Sequence, residues 1–599
     1  MPRRPRDPSR RPLSAATLLL VLSAAAAAPG TGGAQARDSA PVVEVPATAP
    51  AGGRTDHPLV AAAKQAQRGF ERARRLGLRF YNGGAEARCE ERIGRLCYWN
   101  NNGDVPPPEE RTEVATEREE LLGALARAAG ADPNDDWTAG QRVRYLAESR
   151  RLDEATTAAG ECRGTPWWCS ALRGLVLHQQ GRHAPAALAF DSALAGMPAR
   201  ERCTWRDVSL WLEPRDVDAY RQLACDGTPD DPRGRWEARF WRLAQPLWLL
   251  PGNDLRTELL ARRAMTRVQQ QGGSPYDMAW GEDMAESELR YGVPTSWSVT
   301  TGGAQDPRPP SVIGHEPTPS YDFVPSAAAW AAPTAAAASA WELGDARARM
   351  RYAPRYTPRG FVTLEHQLAR FRRGDSALLV GAWNVERDRD WGSGSVTAGL
   401  TLVDSAGVPR TVRQEEQPRR GALLTSAPAA PRLMGLEVLG ATQGRAARAR
   451  YAVTPLAADA PLSDLLLLRR GAGPTARLEE VLPEALGAPV VRGGGTVGLY
   501  WESYLPASPG APVTVSLTAT RLNTRWLDRT RSALRIGAKV RPVAVRFTDV
   551  GRPDGLPGRS LTLNWPEVPA GEYQVELTVT PASGVPATTG LVVRVEQGR

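Results

Sequence analysis

Near residue 359 the spacing of apolar residues changes from a helical period to strict alternation, and this switch divides the chain into parts that must fold by different rules. In PVTVSLTAT, Val513, Val515, Leu517 and Ala519 fall on one face, and Thr514, Ser516, Thr518 and Thr520 on the other. YQVELTVT repeats the pattern with Tyr573, Val575, Leu577 and Val579. Such alternation predicts half-buried antiparallel strands. With 599 residues the chain exceeds what one hydrophobic core serves, roughly 250 to 300 residues, so several domains are expected. An apolar content of 42% and a charged content of 24% exclude disorder as the main state.

Before the switch the most regular stretch is WWCSALRGLVLHQQGRHAPAALAFDSALAGMP. Gly174 and Ala186 are small where two antiparallel helices would approach, and Gly181 turns the chain between them. Phe190 and Leu194 recur at helical spacing to fill the seam, Leu177 and Ala193 fall at further positions of the pattern, and Pro198 stops the second helix. This unit resembles a tetratricopeptide repeat, a template of about 34 residues. The preceding segment fits with Tyr145, Leu152 and Ala155, although Arg150 replaces the turn glycine. Two or three degenerate repeats are expected, because one repeat cannot bury its own apolar face. Further helical runs are read at 58–78, 111–130 and 234–270, within a helical domain spanning 58–300.

Cys89, Cys97, Cys162, Cys169, Cys203 and Cys225 all precede residue 230, and their even number predicts disulfides. Fifteen pairings are formally possible. Cys169 and Cys203 would occupy equivalent places on successive helices roughly 10 Å apart, too far for a bridge that needs about 7 Å. The spacing therefore favours Cys89 with Cys97, Cys162 with Cys169 and Cys203 with Cys225. Thirteen of the eighteen tryptophans precede residue 350. Trp167 and Trp168 among them are candidates for stacking on a ligand, with burial between helices as the competing use.

The wording RYGVPTSW resembles the motif region of the GWxTD family, exported bacterial proteins that often combine helical repeats with β domains. Trp297 matches the motif tryptophan, Ser296 replaces its glycine, and Val299 and Thr300 replace Thr-Asp. The resemblance implies class and compartment and no reaction. Glu282, Asp283, Glu286 and Glu288 nearby could be cast as acid and base, but four acids in seven helical residues read as a solvated face. Residues 301–358, rich in Pro and Ala, read as a linker.

Strands are expected in two sandwiches, 359–457 and 458–599. In VPAGEYQV, Gly571 and Tyr573 sit as in the tyrosine corner of immunoglobulin-like sandwiches, which this region resembles. The expected fold is thus multidomain α plus β, an N-terminal tetratricopeptide-like α-solenoid followed by C-terminal immunoglobulin-like antiparallel β-sandwich domains.

Arg3, Arg4, Arg6, Arg10 and Arg11 precede the apolar run Leu13 to Ala28, and Ala34-Gln35-Ala36 offers a cleavage site, so residues 1–36 read as an export signal and 37–57 as a flexible linker. This signal carries five arginines and one aspartate, so its removal lowers the net charge from +9 to +5. That charge is modest, and no basic stripe interleaves with aromatics, so nucleic acid is not an expected partner. No transmembrane anchor is expected after cleavage, and the location is read as periplasm, cell surface or extracellular. The five histidines are scattered, and no metal, cofactor or catalytic motif is found. These readings lead to an exported non-enzymatic protein-interaction or envelope-assembly scaffold, with carbohydrate binding or processing as the alternative.

Overall fold

A computed structural model of the chain describes residues 56–597, apart from 82–88, 101–104, 277, 301–310, 344–348, 474–475, 506–510, 523–542 and 551–556. The expected export signal and nearly all of the linker after it lie outside the described residues.

The helical part comprises α1 (Pro58–Leu76), α2 (Thr112–Ala131), α3 (Asp136–Glu148), α4 (Leu152–Glu161), α5 (Pro166–Gln179) and α6 (His183–Gly196), followed by α7 (Ala199–Arg206), α8 (Pro214–Arg221), α9 (Pro232–Ala244), α10 (Asp254–Gln270) and α11 (Glu282–Tyr291). Their starts follow from local chemistry. Asp135, Asp231 and Asn253 cap α3, α9 and α10 by accepting backbone N–H bonds, and proline opens α1, α5, α8 and α9, where no N–H is needed.

Consecutive helices pack as α1 with α2, α3 with α4 and α5 with α6. The last two pairs turn in the same way. Arg151 N donates to Leu146 O and Arg182 N to Leu177 O, each at 2.9 Å, around a residue in the left-handed region: Arg150 at φ 59° and Gly181 at φ 74°. The glycine that the template asks for at Arg150 is absent, yet the backbone adopts the glycine conformation. At the seam of α5 and α6, a Cβ on Gly174 would lie 2.8 Å from the Phe190 ring, so only glycine admits that ring. Ala186, Phe190 and Ala193 are buried there, Leu177 is buried beside His178, and Pro198 caps α7.

The disulfides join Cys89 to Cys97, Cys162 to Cys169 and Cys203 to Cys225, the short-range set. Two small hairpins accompany the helices, β1 (Glu91–Ile93) with β2 (Leu96–Tyr98), and β3 (Ser296–Thr300) with β4 (Ser311–His315).

Beyond residue 359 come β5 (Gly360–Thr363), β6 (His366–Arg373), β7 (Ser376–Asn384), β8 (Val396–Val403), β9 (Pro409–Gln417), β10 (Arg420–Pro428), β11 (Arg432–Gly440) and β12 (Arg445–Val453). They form a three-stranded sheet, β10-β7-β6, and a five-stranded sheet, β5-β12-β11-β8-β9, in which β5 runs parallel to β12. Next follow β13 (Leu466–Leu468), β14 (Val490–Arg492), β15 (Thr496–Glu502), β16 (Pro512–Arg521), β17 (Val543–Val550), β18 (Gly558–Asn564), β19 (Gly571–Pro581) and β20 (Ala587–Glu596). These repeat the plan as β13-β15-β18 and β14-β20-β19-β16-β17, with β14 parallel to β20.

Each pair of sheets encloses its own core. Leu379, Trp383, Leu400 and Leu436 meet in the first, and Leu499, Trp501, Leu517 and Leu577 in the second. The two three-stranded sheets also meet, through Phe371 and Val380 on one side and Leu466, Leu468 and Tyr500 on the other. The first five-stranded sheet is covered by the loop after α9: Trp248 lies over Gly435 and Leu249 over Gly399, positions where a Cβ would come within 3 Å of them.

The Pro/Ala-rich tract expected as a linker differs over its described residues beyond 310. Residues 311–358 include β4 and a short helix α12 (Ala327–Ala331), and bury Phe323, Trp341, Met350 and Tyr352. Composition concealed these anchors, since a few large apolar groups among alanines suffice to fasten a segment to a core.

Candidate functional site

The inner helices of the two similar pairs, α3 and α5, face α10 of the same chain. Gln141 Nε2 donates to Val268 O at 2.8 Å, Gly140 lies against Val268 and Trp168, and His178 Nε2 is 2.6 Å from Glu258 Oε2. The faces that α3 and α5 turn toward α10 are thus covered by the chain itself. Trp168 is buried in this contact and donates to Asp136 O at 3.1 Å. Half-buried Trp167 meets Trp205 edge-on, and the Arg267 guanidinium lies 4.9 Å from its ring centre. Both tryptophans pack against neighbouring groups, Trp168 within the core and Trp167 between Trp205 and Arg267.

A different place gathers chemistry. A cavity of about 620 Å³ is lined by β2 with Trp99 and Asn100, by Tyr276 and Met278, by Ser287 and Tyr291 of α11, and by β4 with the residues through Ser320. Its wall is pinned by local devices. The Cys89–Cys97 disulfide ties β1 to β2. Gly94, at φ 53°, forms the hairpin tip, and a Cβ there would stand 2.7 Å from Asp283. The adjacent Arg95 clamps Asp283 through two 2.7 Å contacts. Glu91 takes two 2.7 Å bonds from Arg290 and one of 2.6 Å from the Tyr291 hydroxyl. Tyr291 in turn stacks on Tyr98, with ring centres 3.5 Å apart. Gly314 of β4 leaves room for the Tyr276 hydroxyl, which would clash with any Cβ there.

The electrostatics set this cavity apart. Burial raises the Glu316 carboxyl to about 7, so it is divided between its two forms at neutral pH, and raises Glu288, on α11 but not in the lining, to about 8. The nearby charges of Glu148 and Glu316 add to the effect of burial at Glu288, whose Oε2 is buried without a hydrogen-bond partner. Burial also raises the hydroxyls of Tyr98, Tyr276 and Tyr291, which remain donors. His315 is lowered to about 4 by burial and is neutral, with Nε2 2.7 Å from Ser298 Oγ. In contrast, hydrogen bonds from Arg290 lower Glu91, and those from Arg95 lower Asp283. The cavity therefore combines the tyrosine hydroxyls and the Glu316 carboxyl with the side chains of Arg75 and Arg95, which also line it. Perturbed groups concentrated in a concave site mark a functional candidate.

The acids of α11 read as one solvated face divide instead. Asp283 and Glu286 pair with Arg95 and Arg290, but Glu288 is buried. A signal for this was present, since Met284, Glu288 and Tyr291 form a single stripe at helical spacing and all three are buried. No such signal marked Glu316 or Tyr276, which meet only through the fold. His178 and His183 also come together, ring centres 5.2 Å apart, in a buried group with Thr257 and Glu258 that fastens α5 to α10. Among the described residues no three His, Cys, Asp or Glu side chains are grouped to hold a metal ion, and no helix is long and apolar enough to cross a membrane. Three disulfides accord with export to an oxidising compartment.

No family model matches the chain, and no curated protein matches it. Among solved structures it is similar to red sea bream transglutaminase, at 10% identity and a TM-score of 0.13 over 39% of this chain and 32% of that one. The match spans about a third of that protein's length, and at this TM-score it carries no argument about fold or reaction. The expectation of a non-enzyme does not stand. The similar solved structure is that of an enzyme, and so weak a likeness neither assigns its activity nor supports an absence of activity.

Proposed function

We propose that this is an exported envelope protein that binds, or binds and processes, a neutral carbohydrate in the cavity around Glu316. The single observation behind this reading is a 620 Å³ space that combines a carboxyl raised to about 7, tyrosine hydroxyls and aromatic rings. A sugar needs this mixture: ring C–H groups lie on Trp99 or the tyrosines, and hydroxyls exchange hydrogen bonds with Glu316, Tyr98 and Tyr276. The Glu316 proton is also the kind of proton that glycoside cleavage places on a leaving oxygen.

In this reading the helical part is a tetratricopeptide-like solenoid whose groove is closed by α10, and the two β domains are immunoglobulin-like. Support for the latter comes from the parallel pairing of an early edge strand with the last strand in both, and from the Tyr573 hydroxyl donating to Pro569 O at 2.8 Å.

Titration calorimetry of the whole chain against a panel of neutral cell-wall and plant oligosaccharides tests the proposal, with product analysis of the same mixtures for bond cleavage. Saturable binding that weakens about tenfold or more in Glu316→Gln and Tyr276→Phe is expected. Absence of heat across the panel would retire it.

A further inference from the structure

The hairpin at the wall of the Glu316 cavity has strands of three residues each, too short to hold their place in water unaided. Its position depends on fasteners, and these act at different ends. The Gly94–Arg95 tip is clamped to Asp283, and Glu91 on β1 is bonded by Arg290 and Tyr291. The opposite end is closed by Cys89–Cys97, and β2 runs on from there, so that Cys97, Tyr98 and Trp99 all line the cavity. That end also keeps a 3.0 Å bond from Glu90 N to Tyr98 O and the stack of Tyr98 on Tyr291. Trp99 is half-buried, and among the described residues its indole has no ring, cation or hydrogen-bond partner. It is a lining ring that packing leaves unused, suited to the C–H face of a sugar.

Of the three disulfides, only Cys89–Cys97 has both cysteines exposed: Cys162 is buried, and Cys169, Cys203 and Cys225 are half-buried. Thiol–disulfide exchange needs an accessible sulfur, and exposed bridges are the ones that exchange. We propose that a dithiol reductant switches this cavity through Cys89–Cys97, releasing the Trp99 end of β2 while the Arg95 tip stays clamped. The ligand half of this inference rests on the carbohydrate reading of the cavity. One thiolate of the dithiol attacks a bridge sulfur, forming a mixed disulfide and expelling the other cysteine as a thiolate, which takes up a proton. The second thiol of the reductant then displaces the remaining cysteine and closes the reductant's own disulfide, so the bridge gains two electrons and two protons. With the bridge closed Trp99 is held ready for a sugar ring; with it open, binding must first order the end of β2.

The whole chain is treated with dithiothreitol without denaturant, and the freed thiols are alkylated and mapped by mass. Cys89 and Cys97 should be alkylated about tenfold or more faster than the other four cysteines. Hydrogen exchange at 96–100 should quicken about tenfold, while α3, α5 and α10 keep their protection. Affinity for the oligosaccharide selected by calorimetry should fall about fivefold and return on reoxidation. Cys89→Ser with Cys97→Ser should reproduce the weaker affinity and no longer answer to the dithiol. Trp99→Ala should weaken binding by a similar factor, and reduction should then change its affinity no further. Equally fast alkylation of the other bridges, unchanged exchange at 96–100, or an affinity that reduction leaves alone overturns the proposal. So does a loss of protection throughout the helical part, which would make the bridge a general staple. If no sugar of the panel binds the oxidised chain, the carbohydrate reading falls by itself, and the order of alkylation with the exchange at 96–100 still decides whether this wall opens on reduction.

Discussion

Glu437 on β11 and Arg450 on β12 face each other at 3.1 Å with neither side chain in contact with water, and together they seize the loop that follows α9. Glu437 accepts from Leu249 N at 2.8 Å, and Arg450 donates to Leu243 O and Gln245 O. The Arg450 guanidinium also covers Trp248, 3.7 Å from its ring centre. Removing one member strands the other in a dry interface. Glu437→Gln should therefore cost about 3 to 5 kcal/mol in denaturant unfolding, whereas replacing both residues with apolar ones of similar volume should cost less. Equal losses in the single and double variants would contradict this account of the joint.

The turns between paired helices give a prediction of opposite sign. Arg150 holds a left-handed conformation that glycine adopts freely, so Arg150→Gly should stabilise by about 1 kcal/mol. Gly181→Ala should destabilise by a similar amount, and Gly174→Ala by more, since its Cβ meets the Phe190 ring. Thermal melting of the three variants orders them.

Acid and base should act unequally on stability. Glu288 binds its proton more tightly folded than unfolded, so its contribution is complete below about pH 4.5 and is lost as pH rises toward about 8. The loss is on the order of 4 kcal/mol. Glu288→Gln should flatten the stability profile between pH 5 and 8 and raise stability at the alkaline end, read by urea unfolding across that range.

Carbohydrate binding in the Glu316 cavity should weaken as pH rises through about 7, because the carboxyl then loses the proton it donates. Calorimetry at pH 6 and 8 checks this, and Glu316→Gln should abolish the difference. A pH-independent affinity in the unsubstituted chain would place the ligand elsewhere.

Among the disulfides, Cys203–Cys225 closes the longest loop, with a sequence separation of 22 against 8 and 7. Replacing both of its cysteines with serine should cost about 3 kcal/mol, more than opening either of the others. The Cys89–Cys97 pair should act locally, loosening β1 and β2 at the cavity wall, where hydrogen exchange would register it.

Much of this architecture was legible because it is written in local periods. The Gly174–Phe190 seam, the alternation at Val513–Ala519 and the short disulfide loops all depend on neighbours a few residues to a few turns apart. The cavity depends on something else. Tyr98, Tyr276 and Glu316 come from three segments separated by more than a hundred residues or by an intervening hairpin, and no spacing rule connects them. Glu288 misled for another reason: its charge suggested water, while its place on the Met284–Tyr291 stripe meant burial. The contact of α3 and α5 with α10 was not legible either, because α10 is distant from both in the chain.

The meeting of the two three-stranded sheets has a practical corollary. Because Phe371 and Val380 share one oily seam with Leu466 and Tyr500, the two β modules do not swing like beads on a string. A shortened protein ending near residue 457 would expose that seam and clump, so cutting this chain at its apparent joints is the wrong way to make a tractable fragment.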